Sequence, residues 1–76
     1  MDALPDYLTP EQWLDQIFSA KSALQGGVVR RKVRDIDRLV GRPLFREELR
    51  KRGYRAIENN GNFVIFCNRA PLRILE

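Results

Sequence analysis

The dipeptide Asn60-Gly61 limits the possible folds of this chain more than any other stretch of its sequence. It lies between two runs with the composition of β-strands, and Asn-Gly supplies the two positive-φ residues that a two-residue type I′ turn needs. The sequence therefore predicts a tight β-hairpin, and the length of the turn also fixes how its strands pair. The predicted pairs are Asn59 with Asn62, Glu58 with Phe63, Ile57 with Val64, Ala56 with Ile65 and Arg55 with Phe66.

The second strand of this hairpin, from Phe63 to Cys67, is apolar on both faces. A strand with one face in water would alternate between apolar and polar residues. It is therefore predicted to be either a central strand or an edge that pairs with another copy of the chain. We favour the first interpretation, with a third strand from Val28 to Lys32, although Val29, Val33 and Ile36 also fit the spacing of a helix.

A basic helix is predicted immediately before the hairpin, from Arg42 to Arg52. Pro43 suits its first turn, where the missing N–H costs no hydrogen bond, and Gly53 suits the left-handed residue that ends many helices. On the polar side of this helix, glutamates that precede a cation by four residues are expected to neutralise it. The predicted pairs are Glu47 with Lys51 and Glu48 with Arg52.

A second stripe on the same helix has no acid four residues away, so it is predicted to be free for an external anion. It consists of Arg42, Arg46 and Arg50. The alternative is that these arginines are only solvated, or lie along the first helix.

The two helices that precede residue 42 are predicted from the capping and terminating residues at their ends. Thr9 and Gln12 match a capping box with Pro10 in the first helical position. The first helix is therefore predicted from Pro10 to about Leu24, where two glycines terminate it. A shorter helix is predicted from about Arg34 to Val40, before Gly41.

The chain has 76 residues, which suffices for one small domain with a well-used core. The predicted fold class is α+β, with three helices packed on a three-stranded sheet over residues 9–70. An N-terminal arm over residues 1–8 precedes this domain. A C-terminal tail over residues 71–76 follows it, and its Leu72, Ile74 and Leu75 are expected to fold back onto the core.

The charge of the chain is unevenly distributed. Residues 1–18 hold four acids and no cation, whereas the remaining residues hold 14 cations and six acids. Excess positive charge in one part of a small domain is typical of proteins that bind polyanions. It also occurs in small basic proteins where the charge serves only solubility, so this pattern alone leaves both interpretations open.

The available side chains indicate a binding protein rather than an enzyme. The sequence has no histidine and one cysteine, which removes the commonest general base and any zinc site of the Cys/His kind within one chain. Cys67 has no neighbouring base and is expected to be a buried, unreactive thiol. No cofactor is expected. The lone cysteine and the lack of an apolar run near ~20 residues favour a cytoplasmic protein without a membrane span.

The predicted order of elements is helix, strand, helix, helix, strand, strand, over roughly Pro10 to Cys67. With a basic helix before the hairpin, this order resembles the winged helix-turn-helix class of DNA-binding domains. The resemblance implies that the helix over residues 42–52 lies in the major groove and that the hairpin is the wing. Two positions depart from the pattern of that class: Asp37 stands where a small residue is usual, and Arg42 where an apolar residue is usual.

Nucleic acid is the first partner that these observations indicate. The three arginines of the helix stripe are expected to contact guanine edges, while further cations contact phosphates without reading the sequence. The hairpin tip, from Asn59 to Asn62, carries no cation. The predicted interface comprises Arg42, Arg46, Arg50, Arg30, Arg31, Lys32 and Arg55.

The alternative function is that of a protein-interaction module or a homodimer with no role in nucleic-acid binding. Trp13, Phe18 and Tyr54, or the doubly apolar strand, would then form the interface, because Trp and Tyr are enriched at binding hot spots. For Trp13 we favour a core position, since an amphipathic helix in so small a domain needs its largest residue inside.

Overall fold

The computed structural model describes residues 8–76, which form four helices and three strands. This confirms the predicted α+β class. Of the predicted N-terminal arm, only Leu8 lies within the described range. In chain order the elements are α1 (Pro10–Phe18), α2 (Lys21–Leu24), β1 (Val28–Lys32), α3 (Val33–Leu39), α4 (Arg42–Arg52), β2 (Arg55–Asn59) and β3 (Asn62–Phe66).

The three strands form one antiparallel sheet in the order β1-β3-β2. Every predicted pair of the hairpin is confirmed. Asn60 and Gly61 have the positive φ angles of 51° and 76° that the type I′ turn requires. β1 occupies the other edge of β3, with Val29 opposite Ile65. The prediction of a central β3 is thus confirmed, and a β3 edge that pairs with a second copy is wrong because both of its edges are occupied.

The hydrophobic core lies between one face of the sheet and the helices. Phe63 and Ile65 of β3 belong to it, as does Cys67 beyond the end of that strand. Their intervening neighbours Val64 and Phe66 alternate to the opposite face, which also holds Val28 and Ile57. The other buried core residues are Leu14, Ile17, Phe18, Ala23, Val29, Ile36 and Phe45.

The first helix is shorter than predicted. The capping box around Pro10 is present, but α1 ends at Phe18, and α2 adds only one further turn after a break. At the break, the Ser19 hydroxyl donates to the Asp15 carbonyl at 2.6 Å, and the Ser19 and Ala20 N–H groups bond three residues back rather than four. Serine side chains compete with regular helix bonding in this way.

The next two helices lie within one residue of their predicted bounds. α3 begins one residue earlier than expected, and α4 has the predicted ends. Gly53 ends α4 in the left-handed conformation, with φ 73°, as the sequence predicts. The N–H of Val33 donates to the Gly61 carbonyl at 2.9 Å, so the start of α3 is fastened to the hairpin turn.

The chain after β3 has no regular secondary structure. Cys67 is buried, as predicted, and its N–H donates to the Gly27 carbonyl at 2.9 Å. Leu72 is partly exposed and Ile74 and Leu75 almost fully so. The expectation that these three residues fold back onto the core is wrong. Within residues 8–76, no helix has the length and apolar character needed to cross a membrane.

Candidate nucleic-acid interface

α4 divides its side chains between the core and the solvent. Phe45 is buried against the ring of Phe63, with ring centroids 4.8 Å apart, and Leu49 packs at the margin of the core. This apolar face fixes the rotation of the helix about its axis. It leaves exposed the residues Arg42, Pro43, Arg46, Glu47, Arg50 and Lys51.

Arg42 is not free, which corrects the prediction made for the first member of the stripe. Its Nε and Nη2 atoms donate to the two carboxylate oxygens of Asp37 at 3.1 and 3.0 Å. Its Nη1 atom lies 3.5 Å from Glu58, and the guanidinium sits 5.1 Å from the ring centroid of Phe63. The hydrogen bond that Arg42 donates to the Asp37 carboxylate is the main cause that raises the pKa of Arg42. Both carboxylates lie outside α4, so a search for acids along that helix could not find them.

Arg46 and Arg50 are free of acids, as predicted. In the part of the chain that the structure describes, neither has a carboxylate oxygen within 4.0 Å. Both line an open cleft of about 700 Å³ between the C-terminal half of α4 and the start of β2. Arg55 also lines this cleft at the first position of β2, although its pairing with Phe66 directs its side chain toward the sheet face away from the helices. The structure therefore brings together three of the seven predicted residues.

A fourth arginine lines the cleft and was missed from the sequence. Arg69 follows β3 and lines the cleft beside Gly53, where α4 ends, and Tyr54. Like the other three, it has no carboxylate within 4.0 Å among residues 8–76. No local signal marks it, because only the fold brings the chain after β3 to the end of α4. We call Arg46, Arg50, Arg55 and Arg69 the arginine cleft.

The remaining cations of α4 are neutralised. Glu48 is buried and contacts both Arg52, at 3.3 Å, and Lys51, at 3.4 Å. The predicted pair of Glu48 with Arg52 is confirmed, whereas the pair of Glu47 with Lys51 is wrong because Lys51 turns to the buried carboxylate instead. Arg52 also bonds to Asp15 of α1.

The three cations of β1 do not join the arginine cleft. Arg30 is exposed and pairs with Val64, which places it on the sheet face away from the helices. Arg31 donates to the carbonyl of Arg30 at 2.6 Å. Lys32 lines a separate cavity of about 470 Å³ near Asp37. These residues can add positive charge at other places on the surface, but they do not form one continuous site with Arg46 and Arg50.

The aromatic residues of the alternative interface are mainly structural. Phe18 is buried, and its ring meets the half-buried ring of Tyr54 edge-on at 5.3 Å between centroids. Trp13 packs partly buried against the core, which confirms its expected position. The apolar surface that is exposed lies on the sheet instead, where Val28 and Ile57 are 43% and 49% exposed.

Few groups at this surface could support chemistry other than binding. Burial raises the pKa of the Cys67 thiol, an effect that the charge of Arg52 only partly offsets. Within residues 8–76, no cluster of three or more carboxylate or thiol side chains could hold a metal ion. The exposed guanidiniums of the arginine cleft are permanently charged donors, and they match the oxygens of an anion.

Comparison of the chain with protein-family models, with curated proteins and with solved structures finds no match. The resemblance to the winged helix-turn-helix class therefore stays a hypothesis from the sequence pattern.

Proposed function

We propose that this protein is a non-enzymatic nucleic-acid-binding domain that contacts DNA through the C-terminal half of α4 and the start of β2. The observation that carries the proposal is the arginine cleft, which four arginines line without an acidic partner among the described residues. Like charges gathered in one place repel each other, and a polyanion relieves that repulsion. Arginines match phosphate geometry and supply most of the affinity of such complexes.

The winged-helix part of the proposal is supported by the order of the elements and by the strand order β1-β3-β2. α4 precedes the hairpin and presents a basic face to solvent. Since Arg42 is held by Asp37, Arg46 is the arginine that remains to contact base edges near the middle of the exposed face. Arg30 and Lys32 would add phosphate contacts that carry no sequence information.

The proposal assigns no reaction to the protein. The chain has no histidine, and its single thiol is buried with a raised pKa, so neither the usual base nor a reactive nucleophile is at hand. The proposal includes a cytoplasmic location, which the lone cysteine supports because proteins of oxidising compartments usually pair their cysteines.

A titration with a fluorescent DNA duplex of about 20 base pairs tests the proposal. Fluorescence anisotropy at roughly 50 and 200 mM salt should show a steep loss of affinity, about 3.5-fold for each phosphate contact. The double variant Arg46→Gln plus Arg50→Gln should flatten that dependence. The matched control is Arg34→Gln plus Lys51→Gln, which removes the same charge from exposed cations that have carboxylate neighbours.

Two results would count against nucleic-acid binding through this surface. Failure of the unmodified protein to bind at the lower salt concentration would overturn it outright. Equal salt dependence in the Arg46/Arg50 and Arg34/Lys51 double variants would mean that the binding reflects only the net charge of the protein.

A second candidate function is self-association through the sheet face away from the helices. The exposed apolar side chains of Val28 and Ile57 flank Val64 and Phe66 there. Sedimentation equilibrium should then show a dimer that Ile57→Lys dissociates, whereas Leu24→Lys, at an exposed site on α2, leaves it intact. A monomer at every concentration would exclude this candidate.

A further inference from the structure

The backbone that carries Arg69 is held by hydrogen bonds on both sides of this residue. Before Arg69, the Asn68 Nδ2 atom donates to the Gly26 carbonyl at 2.9 Å. After it, the N–H of Ala70 donates to Asn68 Oδ1 at 2.9 Å. These bonds hold residues 68–70 in a local turn beside the end of β3. The Arg69 side chain therefore projects from a fixed backbone, although the residue lies after the last strand.

The stem of Arg69 lies across the turn that ends α4. A Cβ atom on Gly53 would come within 3.0 Å of the Arg69 Cγ and Nε atoms and 3.3 Å of its Cδ atom. The absence of a side chain at Gly53 thus creates the space that Arg69 uses. The end of a helix also carries partial negative charge, which favours a cation at this place before any ligand arrives.

The backbone of this turn cannot itself bind an anion. The N–H of Gly53 donates to the Arg50 carbonyl at 3.2 Å, and the N–H of Tyr54 donates to the Leu49 carbonyl at 2.9 Å. The N–H groups of this turn are therefore not available to an anion, and the guanidiniums are the charged donors of the cleft.

We propose that Arg50 and Arg69 form a clamp for one phosphate group of a nucleic-acid backbone at the C-terminal end of α4. This inference rests on the proposed function and adds the place where the backbone is fixed. Two guanidiniums from separate segments can each direct two donors at the non-bridging oxygens of a phosphodiester. The nucleic acid is then held at the base of the hairpin rather than at its tip, whose residues carry no cation.

The test measures the salt dependence of duplex binding for Arg50→Gln and Arg69→Gln, with Arg73→Gln as the matched control. Arg73 belongs to the same exposed segment as Arg69 but does not line the cleft. Each clamp variant should reduce the loss of affinity between roughly 50 and 200 mM salt by about 3.5-fold, the value of one phosphate contact. Arg69→Lys keeps the charge, and it should keep the salt dependence while binding more weakly.

The outcomes separate the clamp from the function on which it rests. If Arg69→Gln behaves like Arg73→Gln while the Arg46/Arg50 double variant loses salt dependence, the clamp is overturned and nucleic-acid binding through α4 stands. If the unmodified protein binds no duplex, both the clamp and the proposed nucleic-acid binding are overturned. Circular dichroism melts of each variant show whether a loss of binding reflects unfolding.

Discussion

Arg42 is paired in the structure with acids that lie outside its own helix. It and Asp37 are the two positions at which the chain departs from the winged-helix pattern, and in the structure they contact each other through two hydrogen bonds. The acid and the cation thus compensate each other across the bend at Gly41. The consequence for binding is that an arginine at the start of α4 is already occupied by carboxylates of its own chain.

Releasing Arg42 should therefore strengthen binding to a polyanion. Asp37→Asn removes the acid that accepts both close hydrogen bonds and leaves only Glu58 as a carboxylate neighbour, so Arg42 becomes more available to a phosphate. We expect the salt dependence of duplex binding to steepen by about one phosphate contact, or roughly 3.5-fold between 50 and 200 mM salt. Asp35→Asn is the control, because it changes the net charge equally but lies beside Arg34. Equal effects of the two substitutions would show that only net charge matters.

Cys67 gives the fold a dependence on pH at the alkaline end. Burial raises the pKa of its thiol in the native state, whereas the unfolded thiol ionises at about pH 8.5. The unfolded state therefore loses its proton first. The free energy of unfolding is unaffected by this group below that pH and falls as the pH rises toward the native pKa.

Urea unfolding at about pH 7.5 and pH 10 measures this effect when the unmodified protein is compared with Cys67→Ala. Both proteins contain the same tyrosines and lysines, so the comparison isolates the thiol. We expect the unmodified protein to lose more stability between the two pH values than the variant does. Parallel losses would contradict the assignment to Cys67.

At the scale of elements, the sequence predicted best where local chemistry decides the structure. Asn60-Gly61 fixed the turn and the register because positive φ angles are expensive for most other residues. The break after α1 was missed, since the hydroxyl of Ser19 competes with a helix that its apolar pattern favours. The arginine cleft was only partly predictable, because Arg69 reaches α4 through tertiary structure alone.

The turns at Gly53 and Gly61 offer a matched pair of substitutions. Both glycines have left-handed φ angles, 73° and 76°, so alanine at either position should cost about 1–2 kcal/mol of stability. Among the described residues, nothing lies within 4 Å of a Cβ atom on Gly61, whereas one on Gly53 would meet Arg69 at 3.0 Å. The flexible Arg69 side chain can move aside, so the two costs should be similar.

The same two variants should differ in binding. Gly53→Ala displaces Arg69 from the cleft without changing the charge of the protein, so we expect it to weaken duplex binding and reduce its salt dependence. Gly61→Ala lies at the hairpin tip and should bind like the unmodified protein. Chemical denaturation and anisotropy on the same samples measure both quantities. Weakened binding by Gly61→Ala instead would place the contact at the wing tip.

At the scale of the whole molecule, one cluster joins the acidic beginning of the chain to its basic part. Arg52 of α4 contacts Asp15 of α1 and the buried Glu48, and its guanidinium lies 4.8 Å from the ring centroid of Phe18. α1 is thereby held against the side of α4 where the cations are neutralised. The charge that remains unpaired within residues 8–76 includes the arginine cleft, so the asymmetry of the sequence becomes an asymmetry of the surface.

The exposure of the last residues predicts where the folded unit ends. Residues 71–76 are all exposed, and their apolar side chains contribute nothing to the buried core, so removing them should change the free energy of unfolding by less than about 0.5 kcal/mol. Arg69 and the bonds of Asn68 are retained in a chain that ends at Ala70. Urea denaturation of this chain and of the full chain tests the expectation, with Phe45→Ala as a reference that should cost about 3–5 kcal/mol. A clear loss of stability on truncation would mean that Leu72, Ile74 or Leu75 does pack on the core in solution.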